Sequence, residues 1–218
     1  MHGESTIVAD DGGGASERDG RASGRIRNKW GQGDRLRGEI LAAAGEELGE
    51  LGTVEGLTLR GVARRAGIAP ASVYTQFADK AALIRDLLAH EHGQVAGLME
   101  TAGAAADPAD PAARIGAELE AFCRYSLANP GLYRIMFGPR VEPDDAPSGL
   151  GSLVEQMVAT VRAAEAAGAR LRVPADRAAI ILLVAAHGRV AIHHSRPEHS
   201  TEDSVLQFAG ELLGLILD

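Results

Sequence analysis

From Asp34 onward the chain is a succession of apolar stripes at helical spacing. Leu36, Ile40, Ala44 and Leu48 recur every fourth position, Leu41 and Leu51 flank the stripe, and Gly52 supplies a C-terminal stop. Thr58 is a good N-cap for a second helix, whose inward face would be Leu59, Val62, Ala63 and Ala66 and whose end is marked by Gly67. Pro70 opens a third helix at the first-turn position where proline is best tolerated, and this helix runs to about Phe77. Asp79 caps a fourth, with Leu83, Ile84, Leu87 and Leu88 inward. Beyond a loop holding Pro108 and Pro111, the pattern predicts an amphipathic segment over 114–127 and a short helix after Pro130. An acidic, Pro-rich loop over 140–147 follows, then helices over 148–168, 174–194 and 201–217. No stretch alternates in the manner of a strand, and no internal repeat is visible.

These elements predict an all-α fold of about nine helices. An N-terminal three-helix domain of helix-turn-helix type covers 34–88, and a C-terminal helical bundle covers 89–218. Residues 1–33 contain eight glycines and no apolar period, so they read as a disordered tail, basic over 21–29. The basic stretch is either a solvated leader or an arm that touches DNA phosphate or the minor groove, and Trp30 is expected to pack on the first helix. Aromatic residues are only 4% of the chain while hydrophobic residues are 45%, so the core is built from Ala, Leu, Val and Ile, as suits helices.

Charge sharpens this division. The net charge of −8 is the sum of −4 over 1–20, +3 over 21–88 and −7 over 89–218. Only the segment holding the paired short helices is basic, which permits a local DNA-binding surface on an acidic protein. The lone cysteine, Cys123, leaves no internal disulfide and no Cys-based zinc site, and reads as a small buried hydrophobe. No apolar leader is visible, and the longest uncharged apolar run, 178–186, is far short of the roughly 20 residues a bilayer span needs. The expectation is a soluble, cytoplasmic protein without a membrane partner.

Two short helices joined by a tight Gly-containing turn form the geometry in which the second helix enters the major groove and the first braces it across the backbone. Ala71 and Ser72 are small, so the backbone at the tip of the second helix can approach DNA closely. Ser72, Tyr74, Thr75 and Gln76 offer hydroxyl and amide groups to phosphates and bases, and Lys80 can pair with a phosphate. Thr58 and Arg60 start the bracing helix. The same pair of helices also occurs as a plain αα-hairpin, and a helical module that binds a protein partner without DNA is the alternative reading. Such a module would need neither the basic segment nor Tyr74 and Lys80.

The stretch LTLRGVARRAGIAPASVYTQFADKAAL, residues 57–83, resembles the TetR family of bacterial regulators, and the likeness extends back over the preceding helix to Leu36. The Ala66-Gly67 pair, the Tyr74 to Phe77 spacing and the following Lys80 carry it. The resemblance implies phosphate contacts from Tyr74 and Lys80 and base reading at Pro70, Ala71, Ser72 and Thr75. It also implies a homodimer on a near-palindromic double-stranded operator, a small-molecule effector, no cofactor, and repression as the usual mode, activation being the alternative. Two departures stand out. Ala69 occupies a place where the family usually has Ser or Thr, which should weaken the third helix by roughly 0.5–2 kcal/mol. Gly61 sits inside the bracing helix, at an expected cost of about 1 kcal/mol relative to Ala. The later stretches NPGLYRIMFGP (129–139) and AAHGRVAIHH (185–194) resemble a C-terminal subtype with a Trp-His-Gly signature, with Ala186 in place of the Trp.

In the bundle, Phe122, Tyr125, Tyr133, Met136, Phe137 and Met157 suit an apolar effector cavity, with Tyr125 and His187 as polar handles, or else are ordinary core. His90 and His92 around Glu91, and His193, His194 and His199, read as solvated surface groups rather than metal ligands. No nucleophile elbow, P-loop, dinucleotide fingerprint or zinc-protease motif occurs, so no catalytic residues are expected and the protein is not read as an enzyme. For the dimer, stripes of Ala178, Ile181, Leu182 and Ala185 and of Phe208, Leu212 and Leu215 are the expected contact, with Gly188 allowing close approach. Those stripes could instead be core within one chain.

Overall fold

A computed structural model of the chain describes residues 32–138 and 149–218. The expected tail up to residue 31, with its basic stretch and Trp30, and the acidic loop at 140–147 lie outside the described residues. Among those described, nine α-helices form, with one 3-10 turn at Pro197–His199 and one isolated β-bridge between Leu171 and Leu217. The helices are α1 (Gln32–Leu51), α2 (Leu59–Arg65), α3 (Pro70–Gln76), α4 (Lys80–Ala105), α5 (Pro111–Ala128), α6 (Pro130–Phe137), α7 (Gly149–Ala166), α8 (Ala175–Ser195) and α9 (Glu202–Ile216). The all-α architecture is the one the apolar periods predict. No helix among the described residues is long and apolar enough to cross a membrane.

Two apolar cores organise these helices. The first joins α1 to α3 and the start of α4 through Ile40, Leu48, Leu57, Val62, Val73, Phe77, Leu83 and Leu87. The second fills the bundle with, among others, Met99, Leu119, Phe122, Met157, Leu182 and Val205. Each fully buried Leu, Ile, Val or Phe contributes about 1.5–3 kcal/mol relative to exposure. Helix α4 runs unbroken for 26 residues, about 39 Å at the usual rise, past the expected boundary at 88. Leu83 and Leu87 lie in the first core, and Val95 and Met99 in the second. Helix α6 also straddles both: Leu132 is in the first core, Tyr133 in the second, and Met136 packs on each. Gly131 makes this possible, because a Cβ there would lie 2.3 Å from the Gly49 carbonyl oxygen of α1.

The stripes expected at a dimer face are corrected by this packing. Ala178 and Leu182 are fully buried within the chain, Ile181 and Ala185 pack on the same core, and Leu212 is buried too. Of those stripes only Leu215 is strongly exposed. Helix α8 is apolar nearly all round, so its period could not single out one face. Its exposed apolar side chains are Ile180, Val184 and Ile192, with Gly188 completing the four-residue spacing.

Candidate nucleic-acid interface and ring cluster of the bundle

The Thr58 side chain accepts a hydrogen bond from the Gly61 amide at 2.9 Å and so caps α2. Gly61 is there for space. A Cβ would lie 2.2 Å from a Glu47 carboxylate oxygen, so the expected helix penalty is offset by close packing on α1. Gly67 turns the chain at a φ of 67°, where other residues are strained, and the Ile68 amide reaches back to the Ala63 carbonyl at 3.0 Å. As the sequence predicts, Ala69 at the N-cap of α3 makes no side-chain cap, and Pro70 opens the helix.

Helix α3 is held from behind. Val73 and Phe77 are buried, the Arg37 guanidinium lies 4.5 Å over the Phe77 ring, and Arg37 Nη1 donates to the Gln76 carbonyl at 3.1 Å. Arg37 also pairs with Asp86 of α4. This anchoring leaves the opposite face free: Pro70, Ala71, Tyr74 and Thr75 are exposed, and Ser72 and Gln76 are half-buried. The Thr75 hydroxyl donates to the Ser72 carbonyl at 2.7 Å, which holds it along the helix. Lys80 opens α4 beside them, its Nζ donating to the Glu55 carbonyl at 3.0 Å, and Arg60 is exposed on α2.

The bundle residues singled out by sequence separate into three settings. Phe122, Tyr133, Phe137 and His187 come together, with ring centroids 5.0 Å apart for Tyr133–Phe137, 5.1 Å for Phe137–His187 and 6.0 Å for Phe122–Phe137. Met157 is fully buried in the bundle core, and Met136 bridges the two cores. Tyr125 points elsewhere: its hydroxyl donates to the Glu91 carboxylate, and both line a cleft between α1 and the bundle.

Histidines expected on the surface complete the ring cluster. His92 meets Phe137 edge-on at 5.9 Å, and His194 lies 5.1 Å from Tyr133. His194 Nε2 is 3.0 Å from the Ser126 carbonyl, and His92 Nδ1 is 2.6 Å from the Leu88 carbonyl, so each of these nitrogens carries a proton. The Tyr133 hydroxyl lies 2.8 Å from both the His187 carbonyl and His187 Nδ1. A carbonyl only accepts, so the hydroxyl donates to it and Nδ1–H donates back to the tyrosine oxygen. Burial lowers the pKa of His92, His187 and His194, which keeps the rings neutral, and raises that of Tyr133. His92 Nε2 and the Ser126 hydroxyl are buried without hydrogen-bond partners. Glu91, His92, His194 and Ser126 escaped sequence reasoning. Two of them lie beside His90, in a charged patch that reads as solvated, and none follows a motif. His199 keeps a surface position beside Glu198, whereas His193 is half-buried, its Nδ1 3.3 Å from the Ser200 hydroxyl. Cys123 is the buried hydrophobe expected, its thiol pushed up by burial to about 12. Among the described residues no group of His, Cys, Asp and Glu is placed to hold a metal ion.

Two families of known proteins match separate stretches of the chain. Residues 40–87 match the family of bacterial regulatory proteins of tetR type, and residues 115–209 match a tetracyclin repressor-like C-terminal domain. No curated protein sequence matches the chain. Among solved structures, a protein with unknown function from Rhodococcus sp. RHA1 is 27% identical, with 84% of this chain and 96% of that one covered and a TM-score of 0.69. Full-length TylP, a TetR regulator from Streptomyces fradiae, is 20% identical, with 86% and 89% covered and a TM-score of 0.66. SmeT, the repressor of a Stenotrophomonas maltophilia multidrug efflux pump, is 20% identical, with 84% and 90% covered and a TM-score of 0.63. The last two likenesses speak for the fold. The anchored α3, the two-core architecture and both family matches converge: residues 40–87 form a helix-turn-helix domain of the tetR type of bacterial regulatory proteins, and residues 115–209 form a tetracyclin repressor-like C-terminal domain.

Proposed function

We propose that the protein is a cytoplasmic transcriptional repressor that binds a near-palindromic operator as a homodimer and is released by a small, mostly apolar effector. The observation that carries this reading is α3, with Tyr74 and Thr75 exposed on one face and Val73 and Phe77 buried on the other. Thr75, Ser72, Ala71 and Pro70 would face base edges, with Gln76 beside them. Tyr74, Lys80, Thr58 and Arg60 would meet phosphates. Binding-site selection from random DNA should yield inverted half-sites spaced by roughly 34–36 Å or a multiple of it. On the selected site, Lys80→Ala should weaken binding to all sequences alike and flatten the salt dependence by about one unit per half-site contact. Thr75→Ala should instead change base preference. Unchanged affinity of Lys80→Ala at low salt would remove that residue from the interface.

The dimer face would be the exposed line of Ile180, Val184, Gly188 and Ile192 on α8, together with Leu215 on α9. Two copies joined there bury side chains that one copy leaves in water. Equilibrium sedimentation should show a dimer for the full chain and a monomer for Val184→Glu, and a monomeric parent would end this part of the proposal.

The effector would sit against the ring cluster of Phe122, Tyr133, Phe137 and His187, with Met136 and Met157 behind it. The neutral imidazoles and the unpartnered His92 Nε2 and Ser126 hydroxyl suit an uncharged ligand that can donate a hydrogen bond. SmeT has been seen in complex with triclosan, an example of a small ligand on this fold. The Trp-His-Gly subtype belongs to the same proposal: Ala186, at the place of the Trp, is fully buried, and His187 beside it holds Tyr133. Ligand contact with α6 or α4 would reach the first core directly, because both helices belong to both cores. A tenfold loss of operator affinity needs about 1.4 kcal/mol of coupling, and by linkage the operator must weaken the ligand by the same factor. A ligand that binds free and DNA-bound protein equally well is not the inducer.

A further inference from the structure

A cleft of about 650 Å³ opens between the DNA-binding domain and the bundle, within the size range of small-molecule sites. Its α1 wall is made slim by Ala42, Gly45 and Gly49, and its opposite wall comes from α4, α5 and α6. At the back lies Glu91, only 7% exposed. Its carboxylate accepts a hydrogen bond from the Tyr125 hydroxyl, and no Lys, Arg or His among the described residues forms an ion pair with it. The other carboxylate oxygen packs against Gly45 of α1, where a Cβ would come within 3.0 Å of it. The one arginine lining the cleft, Arg65, is already bound: Nη1 donates to Glu50 at 3.0 Å, and Glu46 and Glu47 lie 3.7 Å away. The cleft therefore presents a buried carboxylate whose sole hydrogen-bond partner among the described residues is a neutral donor. That arrangement is costly until a cation arrives.

We propose that this cleft binds a small organic cation, with a primary ammonium on the Glu91 carboxylate and an apolar stem along the Tyr125 ring and the glycines of α1. His90 and Gln94 line the cleft beside Glu91 and offer further hydrogen bonds to the head group. The site is separate from the ring cluster and does not depend on the effector proposed there. Because α1 forms one wall and α4 and α6 the other, an occupant touches both domains at once.

The test is calorimetric titration of the full chain with 2-phenylethylamine, against 2-phenylethanol as the neutral analogue and 3-phenylpropanoate as the anion. The ammonium should bind once per chain, at least tenfold more tightly than the alcohol, and the carboxylate should not bind. Glu91→Gln retains an acceptor for the Tyr125 hydroxyl and should erase the preference for the ammonium. Gly45→Ala, whose Cβ would press on the Glu91 carboxylate and narrow the cleft without removing a charge, should weaken ammonium binding, and it serves if Glu91→Gln does not fold. Tyr133→Phe should leave ammonium binding unchanged. No ammonium binding, equal binding of ammonium and alcohol, or a preference that survives Glu91→Gln overturns the proposal. Loss of binding in Tyr133→Phe would place the amine in the bundle and overturn it equally, while leaving the DNA-binding reading untouched.

Discussion

On α3 the polar side chains point away from the protein; in the ring cluster they point into it. Pro70, Ala71, Tyr74 and Thr75 need only the phase of one seven-residue helix, fixed by buried Val73 and Phe77, to face outward together. Tyr133, His187, His194 and Ser126 need one another. The Tyr133–His187 pair joins residues 54 apart in sequence, and the His194–Ser126 bond joins residues 68 apart. An exposed site can thus be assembled by local periodicity, whereas a buried polar site exists only once distant helices have packed and each group has found, or failed to find, a partner.

The largest expected effect breaks the bundle side of this contrast. Phe122 is fully buried beside Phe137, and Phe122→Ala should lower the unfolding free energy in urea by about 3–5 kcal/mol. The buried line behind α3 should retain its hydrogen-exchange protection under native conditions. Equal loss of protection in both regions would show that the two cores form one cooperative unit.

A smaller effect probes the seam. Gly131→Ala places a Cβ against the Gly49 backbone, so α6 and α1 must separate, at about 1–3 kcal/mol. Operator affinity should change as well, although no residue of the DNA-facing helix is altered. Unaltered stability and affinity together would mean that the seam yields freely and couples nothing.

The recognition side can be sharpened by repair. Ala69 has the extended backbone of an N-cap, φ −66° and ψ 139°, but no side-chain acceptor. Ala69→Ser should stabilise the protein by about 0.5–2 kcal/mol in thermal unfolding. No gain would show that water already satisfies the first amides of α3.

The smallest effect is a pH dependence. Burial holds His92, His187 and His194 below the ordinary histidine pKa of about 6.5, so the unfolded chain binds more protons than the native one in that window. The stability from keeping these rings neutral is fully present above about pH 6.5 and is lost as pH falls through their folded-state values. The midpoint of thermal unfolding should therefore fall on acidification from about pH 7.5 to 5.5, and fall less in a His187→Gln, His194→Gln double variant. Parallel curves for parent and variant would place the acid sensitivity in other groups.

Much of the helical framework is legible in the chain because its punctuation is local. Thr58, Pro70, Asp79 and Pro130 stand at helix starts, and Gly52 and Gly67 turn the chain at positive φ just past helix ends. Gly61 shows where local reading fails. By propensity it is a flaw in α2, and only the approach of Glu47 from α1 reveals that a Cβ there would have to displace the Glu47 carboxylate. The same limit explains α8. An apolar residue on any of its faces satisfies the period, so which apolar residues meet the core and which stay in water was decided by α7 and α9 packing on two of its sides.

The helices of the described residues, their order and the outward face of α3 were readable in the chain alone, because caps, breakers and a 3.6-residue period act within a few positions of one another. Packing of distant helices was needed to turn His92 and His194 inward, to make α6 part of two cores, and to leave Glu91 lining a cleft without a counter-ion among the described residues. Those outcomes depend on which side chains from distant segments reach the same place, and on whether water is still there when they do.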